Sequence, residues 1–290
     1  MKNNFTLGAV AYAPKVITIW EGFKEYFQKH DLQFDYVLYS NYEAQVESLV
    51  DGHIDVAWNS PLAWLRAERM GKSKGTPVSF GPMRDSDQDL TSVLIVKKNS
   101  GIQKVTDLIG KKIGFGAIDS PQARLIPLDH LRQSSLIANK NYQAINFDVL
   151  GGKHGDHIGG ERDAALALIN NEIDAAWLID SNYQAFSQEG TLTSGETLIL
   201  TRTEKYDHCI FTFSPEVTKN PNKIKNAKQF NDLLFSMKWS DPNIRPLLEL
   251  EGLKEWKPGR TSGFSILNRA IDSEKFYSQD GKIIEPNYKY

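Results

Sequence analysis

The chain has 290 residues, of which 40% are hydrophobic, a length that suits two domains of ordinary size. Its 34 basic and 36 acidic side chains leave a net charge of -2, so no overall field attracts nucleic acid or an anionic membrane. This balance fits a small neutral or mixed-charge ligand better. The single cysteine, Cys209, excludes an intramolecular disulfide and a multi-cysteine metal site.

No apolar run approaches the roughly 18 residues needed to cross a bilayer, so no transmembrane segment is predicted. The first residues lead directly into a strand-like stretch, without the apolar region and cleavage site of a signal peptide. We therefore expect one of two locations. The protein is periplasmic or otherwise extracytoplasmic if a signal was removed, and cytoplasmic if Met1 is the native start.

Strand-like and helix-like stretches alternate along the chain, which predicts mainly parallel sheets flanked by helices. Pro14 can open the first helix, and Asn41 is the candidate N-cap of the second. In chain order, the predicted strands cover residues 5–11, 34–39, 92–96, 112–115, 146–150, 197–201 and 209–213. The predicted helices cover residues 14–29, a stretch after Asn41, a stretch after Ser120, and residues 161–170, 223–237 and 246–250.

A short phrase, Ile-Asp-x-Ala-Trp, occurs at 54–58 and again at 173–177. Each copy follows a helix-like stretch and a polar turn, and its pattern predicts a short buried strand that ends at Trp58 or Trp177. The repetition predicts two lobes of similar construction. Ligands of open α/β sheets bind beyond the carboxyl ends of the strands, so we expect a ligand cleft between the lobes.

The order of the segments assigns residues 1–92 and 204–290 to lobe 1 and residues 93–203 to lobe 2. The chain would then pass between the lobes twice, near 90–95 and near 200–206. A pair of such connections is suited to hinge closure around a ligand.

Four stretches carry a resemblance to a known family: Asn41-Tyr42 at a helix start, the phrase at 54–58, the stretch 94–102, and Asp119-Ser120-Pro121-Gln122 after a strand. Over about residues 5–240 the chain resembles the phosphate, phosphite and phosphonate class of substrate-binding proteins of ABC importers. The resemblance implies an α/β, two-lobed type II periplasmic-binding-protein-like fold. It also implies an oxyanion held by hydroxyls and by backbone N–H groups at helix starts, as the chemistry of helix N-termini allows.

By this resemblance, Tyr42 matches a ligand-binding tyrosine, Ser120 matches the first residue of a Ser-Thr-Ser helix start, and Asp207 matches an aspartate that meets the ligand's amino group. The chain departs from the family at other positions. The second ligand tyrosine falls at Leu90, and Pro121-Gln122 replaces the Thr-Ser pair. The family histidine falls near Glu161, or at His157 if the loop is longer, and its glutamate falls near Asp180 or Ser181.

Each candidate also has a purely structural interpretation. Ser120 can simply cap a helix, Tyr42 can cover the edge of a lobe, and Trp58 and Trp177 can be core aromatics instead of pocket walls. Asn59 and Ser60, at the turn after the first phrase, are placed to donate hydrogen bonds. The candidate ligand-binding residues are Tyr12, Tyr42, Trp58, Asn59, Ser60, Ser120, Pro121, Gln122, Arg124, His157, Asp180 and Asp207.

The loop 151–163 is rich in glycine and charge, and follows a predicted strand. Its amides, His157 or Arg162 could reach a ligand, or the loop could be solvent-exposed. His154, Asp156 and His157 suggest zinc or iron, but their spacing matches no strong ligand motif, so no metal is expected.

A second charged stretch, the run 84–89, would ordinarily be solvated. If it instead lines the cleft with Asp180 and Asp207, the site would suit a cationic or zwitterionic ligand, with tryptophans as cation–π faces. Arg124 favours the opposite ligand, because its guanidinium can bind a carboxylate or phosphoryl group with two bonds. Both ligand charges therefore remain open.

The sequence contains no Gly-x-Ser-x-Gly elbow, no phosphate-binding loop and no His-Glu-x-x-His motif. We therefore predict a non-enzymatic, monomeric solute-binding protein that needs no cofactor and passes a small polar ligand to the permease of an ABC importer. The alternative is a cytoplasmic enzyme of precursor biosynthesis, or a ligand sensor, built on the same fold.

Overall fold

A computed structural model describes residues 4–148, 158–193 and 195–290. The described part divides into two compact units. Unit 1 comprises the described residues of Met1–Gln88 together with Asp207–Phe264 and Tyr277–Ile283. Unit 2 comprises the described residues of Asp89–Tyr206 together with Ser265–Phe276 and Ile284–Tyr290.

The strands are β1 (Phe5–Val10), β2 (Phe34–Tyr39), β3 (Val56–Asn59), β4 (Ser79–Phe80), β5 (Met83–Arg84), β6 (Ser92–Lys97), β7 (Lys112–Phe115), β8 (Gln143–Asn146), β9 (Ala175–Ile179), β10 (Thr197–Arg202), β11 (Ile210–Phe213) and β12 (Trp256–Lys257). The helices are α1 (Lys15–Lys29), α2 (Tyr42–Val50), α3 (Pro61–Ser73), α4 (Ile126–Gln133), α5 (Ile158–Ile169), α6 (Asp180–Glu189), α7 (Pro221–Ser236), α8 (Arg245–Glu251) and α9 (Ser265–Ser273).

Unit 1 is built on a sheet with the strand order β2-β1-β3-β11-β4. The first three strands are parallel, whereas β11 runs antiparallel to β3 and to β4. The apolar stripe of α1 packs on this sheet, and an aromatic cluster of Phe27, Phe34, Phe211 and Phe230 fills the space between. Burial of these large rings stabilises this unit.

Unit 2 repeats the plan with the strand order β10-β6-β9-β7-β8. Here β7, β8 and β9 are parallel, and β6 and β10 are antiparallel to their neighbours. The two copies of the repeated phrase form β3 and β9, each in the middle of its sheet. The prediction of two α/β units with parallel strands beside flanking helices is therefore confirmed, and each sheet also contains antiparallel strands.

One strand was predicted in the wrong place. The strand predicted at 146–150 is instead β8, which ends at Asn146, and residues 149 and 150 lie outside the described residues. Phe147 still continues the backbone pairing by donating to Phe115 at 2.9 Å. The side chain of Asp148, beyond the end of β8, accepts from the backbone N–H of Ile118 at 2.9 Å.

The C-terminal segment also differs from the sequence-based boundaries, which kept 204–290 together. Residues Ser265–Phe276 and Ile284–Tyr290 belong to unit 2. The apolar face of α9 is buried, and its Arg269 donates to Asp129 of α4 at 2.8 Å. Glu274, just beyond α9, pairs with Arg132 of α4. These contacts join residues about 140 positions apart in sequence, a separation that local patterns do not detect.

Candidate functional site

Several of the predicted residues lie at the carboxyl edge of the unit 1 sheet, which is the edge where its parallel strands end. Because β11 is antiparallel to β3, its first residue Ile210 pairs with Asn59, the last residue of β3. The segment 207–209 therefore lies at the same edge as Asn59 and Ser60. Tyr42 opens α2 just after β2, and Tyr12 follows β1, so both are also near the carboxyl ends of strands.

The polar side-chain groups of Asn59 form hydrogen bonds within the protein at this edge of the sheet. Its side-chain oxygen accepts from Gln45 at 2.8 Å, and its amide nitrogen donates to the Thr212 hydroxyl at 2.9 Å. Ser60 caps α3 by accepting from the backbone N–H of Ala63 at 3.2 Å. Both side chains are fully buried. Their contacts show a role in holding strand β3, strand β11 and helix α3 together.

Tyr42 is buried at the start of α2, and burial raises the pKa of its phenol well above the usual value, with Cys209 and Tyr12 as weaker contributors. The hydroxyl is therefore protonated at any physiological pH and can act as a hydrogen-bond donor. Tyr12 is half-buried, and the Lys15 ammonium lies 5.9 Å from its ring centroid. The two phenols and the lysine suit an anion better than a cation.

Trp58 and Trp177 are core aromatics. Trp177 is fully buried in unit 2, and Trp58 packs on Phe211 and Trp256 with ring centroids 4.6 Å and 5.8 Å away. The guanidinium of Arg84 lies over the Trp58 ring, 5.3 Å from its centroid. The Trp58 ring thus already faces a cation of the protein itself, whereas the expectation concerned a cationic ligand.

Asp207 has an unexpected partner. Both of its carboxylate oxygens accept from Arg260, through Nε at 2.7 Å and through Nη2 at 2.7 Å. The sequence-based expectation that Asp207 meets a ligand amino group did not include this arginine. The pairing could not be foreseen, because the two residues are 53 positions apart and neither belongs to a recognisable motif.

In unit 2, Ser120 begins a helical turn at the carboxyl end of β7. Its hydroxyl accepts from the backbone N–H of Ala123 at 3.1 Å, and Pro121 occupies the first helical position. The turn 121–125 has π-helical bonding before α4 continues. A helix start carries N–H groups without intrahelical partners and a partial positive charge, which together favour an anion.

Gln122 belongs to a buried polar network in unit 2. Its side chain donates to Glu161 at 3.3 Å, and its backbone carbonyl accepts from the Ser92 hydroxyl at 2.6 Å. The other oxygen of Glu161 accepts from the backbone N–H of Ile179 at 2.8 Å and from Asn182 at 3.0 Å. Glu161, on α5, thus joins the Ser120 turn to the end of β9 and to the start of α6.

The remaining candidates of unit 2 are engaged elsewhere or lie outside the described residues. Arg124 donates to Asn146 at the end of β8, and burial lowers its pKa. Asp180 forms an ion pair with Arg202 at 2.7 Å. The candidate His157 lies outside the described residues, as do His154 and Asp156 and with them the possible metal ligands of the loop 151–163.

Unit 1 contains a buried charged cluster that was not predicted from the sequence. Arg84 binds Asp87 through two hydrogen bonds, at 2.5 Å and 3.0 Å, and donates to the backbone carbonyl of Glu251 at 2.7 Å. Burial raises the pKa of Glu251 to about 7 despite this arginine. The run 84–89, for which a solvated stretch and a cleft lining were both considered, has Asp87 turned inward. The even spacing of its three aspartates gave no signal of that orientation.

The same cluster contains a set of metal-ligand atoms. Asp87, His208 and Cys209 each offer one such atom, and all of these atoms lie within 4.8 Å of one another. Two observations oppose a bound cation. The guanidinium of Arg84 already occupies Asp87, and burial raises the pKa of the Cys209 thiol well above its usual value. We therefore interpret the set as a polar cluster without assigning a metal.

One large groove of unit 1 does not coincide with this chemistry. A groove of about 590 Å³ is lined by residues of α1, of α8 and of the segment 236–244, including Tyr26, His30 and Leu247. Among the described residues that line it, none is a candidate named above. The proposal that the candidate residues bind a ligand therefore depends on their placement at sheet edges and helix starts. In addition, no helix among the described residues is long and apolar enough to span a membrane.

Comparison with known proteins gives a consistent result. A family model described as "ABC transporter, phosphonate, periplasmic substrate-binding protein" matches residues 8–264. The probable ABC transporter phosphite-binding protein PhnD1 of Prochlorococcus marinus (strain MIT 9301) is 28% identical over 155 residues. That match covers 51% of this chain and 47% of the relative, so it spans about half the length of that protein.

Three solved structures share the fold. PhnD1 from Prochlorococcus marinus in complex with methylphosphonate has a TM-score of 0.66 at 16% identity, covering 93% of this chain and 97% of the other. XAC2383 from Xanthomonas citri bound to ATP has a TM-score of 0.69 at 12% identity, covering 92% and 98%. The aliphatic sulphonate binding protein SsuA from Escherichia coli has a TM-score of 0.57 at 16% identity, covering 100% and 94%.

Proposed function

Since the chain belongs to the family of phosphonate-binding periplasmic substrate-binding proteins of ABC transporters, we propose that it captures a small tetrahedral oxyanion and passes it to the permease of an importer. The main observation that supports this proposal is the match of the family model to residues 8–264. We further propose that the protein acts outside the cytoplasm and without catalysis. The alternative of a cytoplasmic enzyme or sensor is not favoured by this match.

The described residues support an anionic ligand at both sheet edges. In unit 2, the turn that begins at Ser120 offers backbone N–H groups and the positive end of a helix. In unit 1, burial keeps the Tyr42 hydroxyl protonated as a donor. We propose that Ser120, Pro121, Gln122, Tyr12 and Tyr42 contribute to ligand affinity. For Trp58, Asn59, Arg124 and Asp180 we propose supporting roles, since each has the protein contact described above.

The ligand class follows from the relatives' ligands and from this chain's own donors. Two of the similar proteins, PhnD1 and SsuA, are described with phosphite, methylphosphonate or aliphatic sulphonates, which are small tetrahedral oxyanions, whereas XAC2383 is described as bound to ATP. The residues after Ser120 are proline, which lacks a backbone N–H, and glutamine, whose amide already donates to Glu161. We therefore propose a ligand of this class, with methylphosphonate as the first compound to test.

A ligand panel tests the proposal directly. The purified chain is mixed with methylphosphonate, phosphite, phosphate, methanesulfonate and a cationic amine, and thermal unfolding and calorimetry are recorded. A ligand present at 100 times its dissociation constant stabilises the folded protein by about 2.7 kcal/mol. We expect this stabilisation from at least one oxyanion and none from the amine. The absence of any shift with all four oxyanions would overturn the proposed function.

Substitution of Tyr42 tests the proposed site. Tyr42→Phe removes one buried hydroxyl and is expected to weaken oxyanion binding about tenfold. Tyr36→Phe is the matched control, because the Tyr36 hydroxyl donates to Glu21 at 2.6 Å on strand β2, away from the carboxyl edge. Equal affinities in the two variants would remove Tyr42 from the site while leaving the function itself intact.

A further inference from the structure

The ion pair between Asp207 and Arg260 has one buried end and one exposed end. The Asp207 side chain is 1% exposed, whereas the Arg260 side chain is 38% exposed. Both carboxylate oxygens are directed to the guanidinium, at 2.7 Å each. The pair as a whole is neutral, but the end that meets solvent is positive. An approaching ligand therefore meets the guanidinium before the carboxylate.

The residues on both sides of Arg260 in sequence pack closely against other parts of unit 1. A Cβ atom at Gly259 would overlap the backbone carbonyl of Gly81, and a Cβ atom at Gly263 would overlap the carboxylate of Asp207. The backbone N–H of Asp207 also donates to the carbonyl of Gly263 at 3.0 Å. Glycine at these two positions allows the segment 259–263 to approach this closely. The placement of Arg260 is thus built into the fold of unit 1.

Asp207 adjoins the proposed ligand residues of unit 1. Cys209, two positions later, is close enough to Tyr42 to contribute to the raised pKa of that phenol. The segment 207–209 precedes β11 at the edge where β3 ends in Asn59. A charge at this edge therefore acts on the same ligand as Tyr42. An ammonium group that replaced the guanidinium would first have to break two charge-assisted hydrogen bonds.

We propose that Arg260, positioned by Asp207, is a specificity-determining residue that selects anionic ligands with an uncharged substituent over ligands that carry an ammonium group. This inference rests on the proposed function and narrows its ligand class. It also reverses the role that resemblance assigned to Asp207. In this chain the aspartate orients an arginine, and the arginine disfavours an amine-bearing phosphonate.

The test compares two phosphonates that differ by one ammonium group, methylphosphonate and 2-aminoethylphosphonate, by titration calorimetry on the whole chain. The wild-type protein is expected to prefer methylphosphonate by about tenfold or more. Arg260→Met removes the guanidinium and its two hydrogen bonds from the Asp207 carboxylate, so the preference of this variant is expected to shift about tenfold toward 2-aminoethylphosphonate. In the double variant Arg260→Met with Asp207→Asn, this shift is expected to disappear.

Arg269→Met is the matched control, because it removes an arginine from a similarly buried aspartate, Asp129, in unit 2. It is expected to leave the preference unchanged. Arg260→Gln, which removes the charge but keeps a donor for Asp207, provides a second variant if Arg260→Met does not fold. Its preference is expected to shift in the same direction.

The outcomes separate the two proposals. If wild-type protein binds 2-aminoethylphosphonate more tightly, or if neutralising Arg260 leaves the ratio of affinities unchanged, the inference is wrong and the proposed function stands. If wild-type protein binds neither phosphonate nor any other oxyanion of the panel, the proposed function fails and the inference fails with it.

Discussion

Arg84 and Asp87 form a two-bond ion pair within one turn of chain, with Nε to Oδ2 at 2.5 Å and Nη2 to Oδ1 at 3.0 Å. Asp87 is buried, and the same guanidinium stacks on Trp58. A buried carboxylate that loses its counter-ion is costly, whereas an exposed one is hydrated by water. The stability of unit 1 is therefore expected to be sensitive to removal of the Arg84 charge.

Arg84→Met is expected to lower the free energy of unfolding by about 3–5 kcal/mol, because it removes both hydrogen bonds and the positive charge that Arg84 gives to the buried Asp87. Lys24→Met is the control, since Lys24 pairs with Asp35 at 3.0 Å where both side chains are partly exposed. That change is expected to cost less than about 1 kcal/mol. Urea unfolding followed by tryptophan fluorescence measures both. Similar losses in the two variants would contradict the view that burial makes the Arg84 pair important.

Glu251 makes stability depend on pH. Desolvation by burial raises its pKa from 4.5 to about 7, with Arg84 and Lys15 opposing the change and Asp87 adding to it. Below pH 4.5 the carboxyl group is protonated in both the folded and the unfolded chain. Between these values only the folded chain keeps the proton. Above about pH 7 the group is ionised in both states, and folding must bury the charge.

The contribution of Glu251 to the free energy of unfolding is therefore expected to fall by about 3 kcal/mol as the pH rises from 4.5 to about 7. Denaturant unfolding of the wild type, compared with Glu251→Gln at about pH 5 and at about pH 8, measures this fall. The glutamine variant should lose most of the pH dependence. Glu249→Gln, which changes an exposed carboxylate of the same helix, should retain it. Parallel curves for all three proteins would refute the assignment.

The local part of the fold could be predicted from the sequence. The phrase ending at Trp58 and its copy ending at Trp177 marked β3 and β9, and the polar residues Asn41 and Ser120 marked helix starts. These signals succeed because periodicity and capping act over a few residues. The prediction of a capped helix start at Asn41 is confirmed by its hydrogen bond to the backbone N–H of Ala44, at 2.8 Å.

The pairings that define the candidate site could not be predicted in the same way. Arg260 reaches Asp207 across 53 residues, and Arg84 reaches Glu251 across 167 residues. Neither pairing has a local signature. The strand pattern ending at Trp58 was also ambiguous, because an aromatic at a strand end packs equally well in a core or in a pocket wall. Only the three-dimensional contacts separate these possibilities.

Gly263→Ala is expected to disturb the segment that carries Arg260, because the added methyl group would overlap the Asp207 carboxylate. Overpacking of this kind typically costs about 1–3 kcal/mol. Ser262→Ala, at the exposed neighbouring position, is expected to change stability by less than about 0.5 kcal/mol. Thermal unfolding compares the two variants. A fully stable Gly263→Ala protein would show that the segment adapts easily and that the close approach is not required.

The variant Ser120→Ala distinguishes a role of Ser120 in helix capping from a role in ligand binding. The Ser120 hydroxyl accepts from Ala123, so its loss is expected to cost about 1 kcal/mol of stability. Asn220→Ala is the matched control, because Asn220 caps α7 by accepting from Asn222 at 2.9 Å and is also followed by a proline. Both variants should lose similar stability in denaturant unfolding. Only Ser120→Ala should also weaken oxyanion binding, by about tenfold as measured by calorimetry. The reason is that the Ser120 hydroxyl, and the backbone N–H groups that it orients, are proposed to bind the oxyanion. If Ser120→Ala loses stability but keeps full affinity, Ser120 is a helix cap alone and the oxyanion must be bound by other donors.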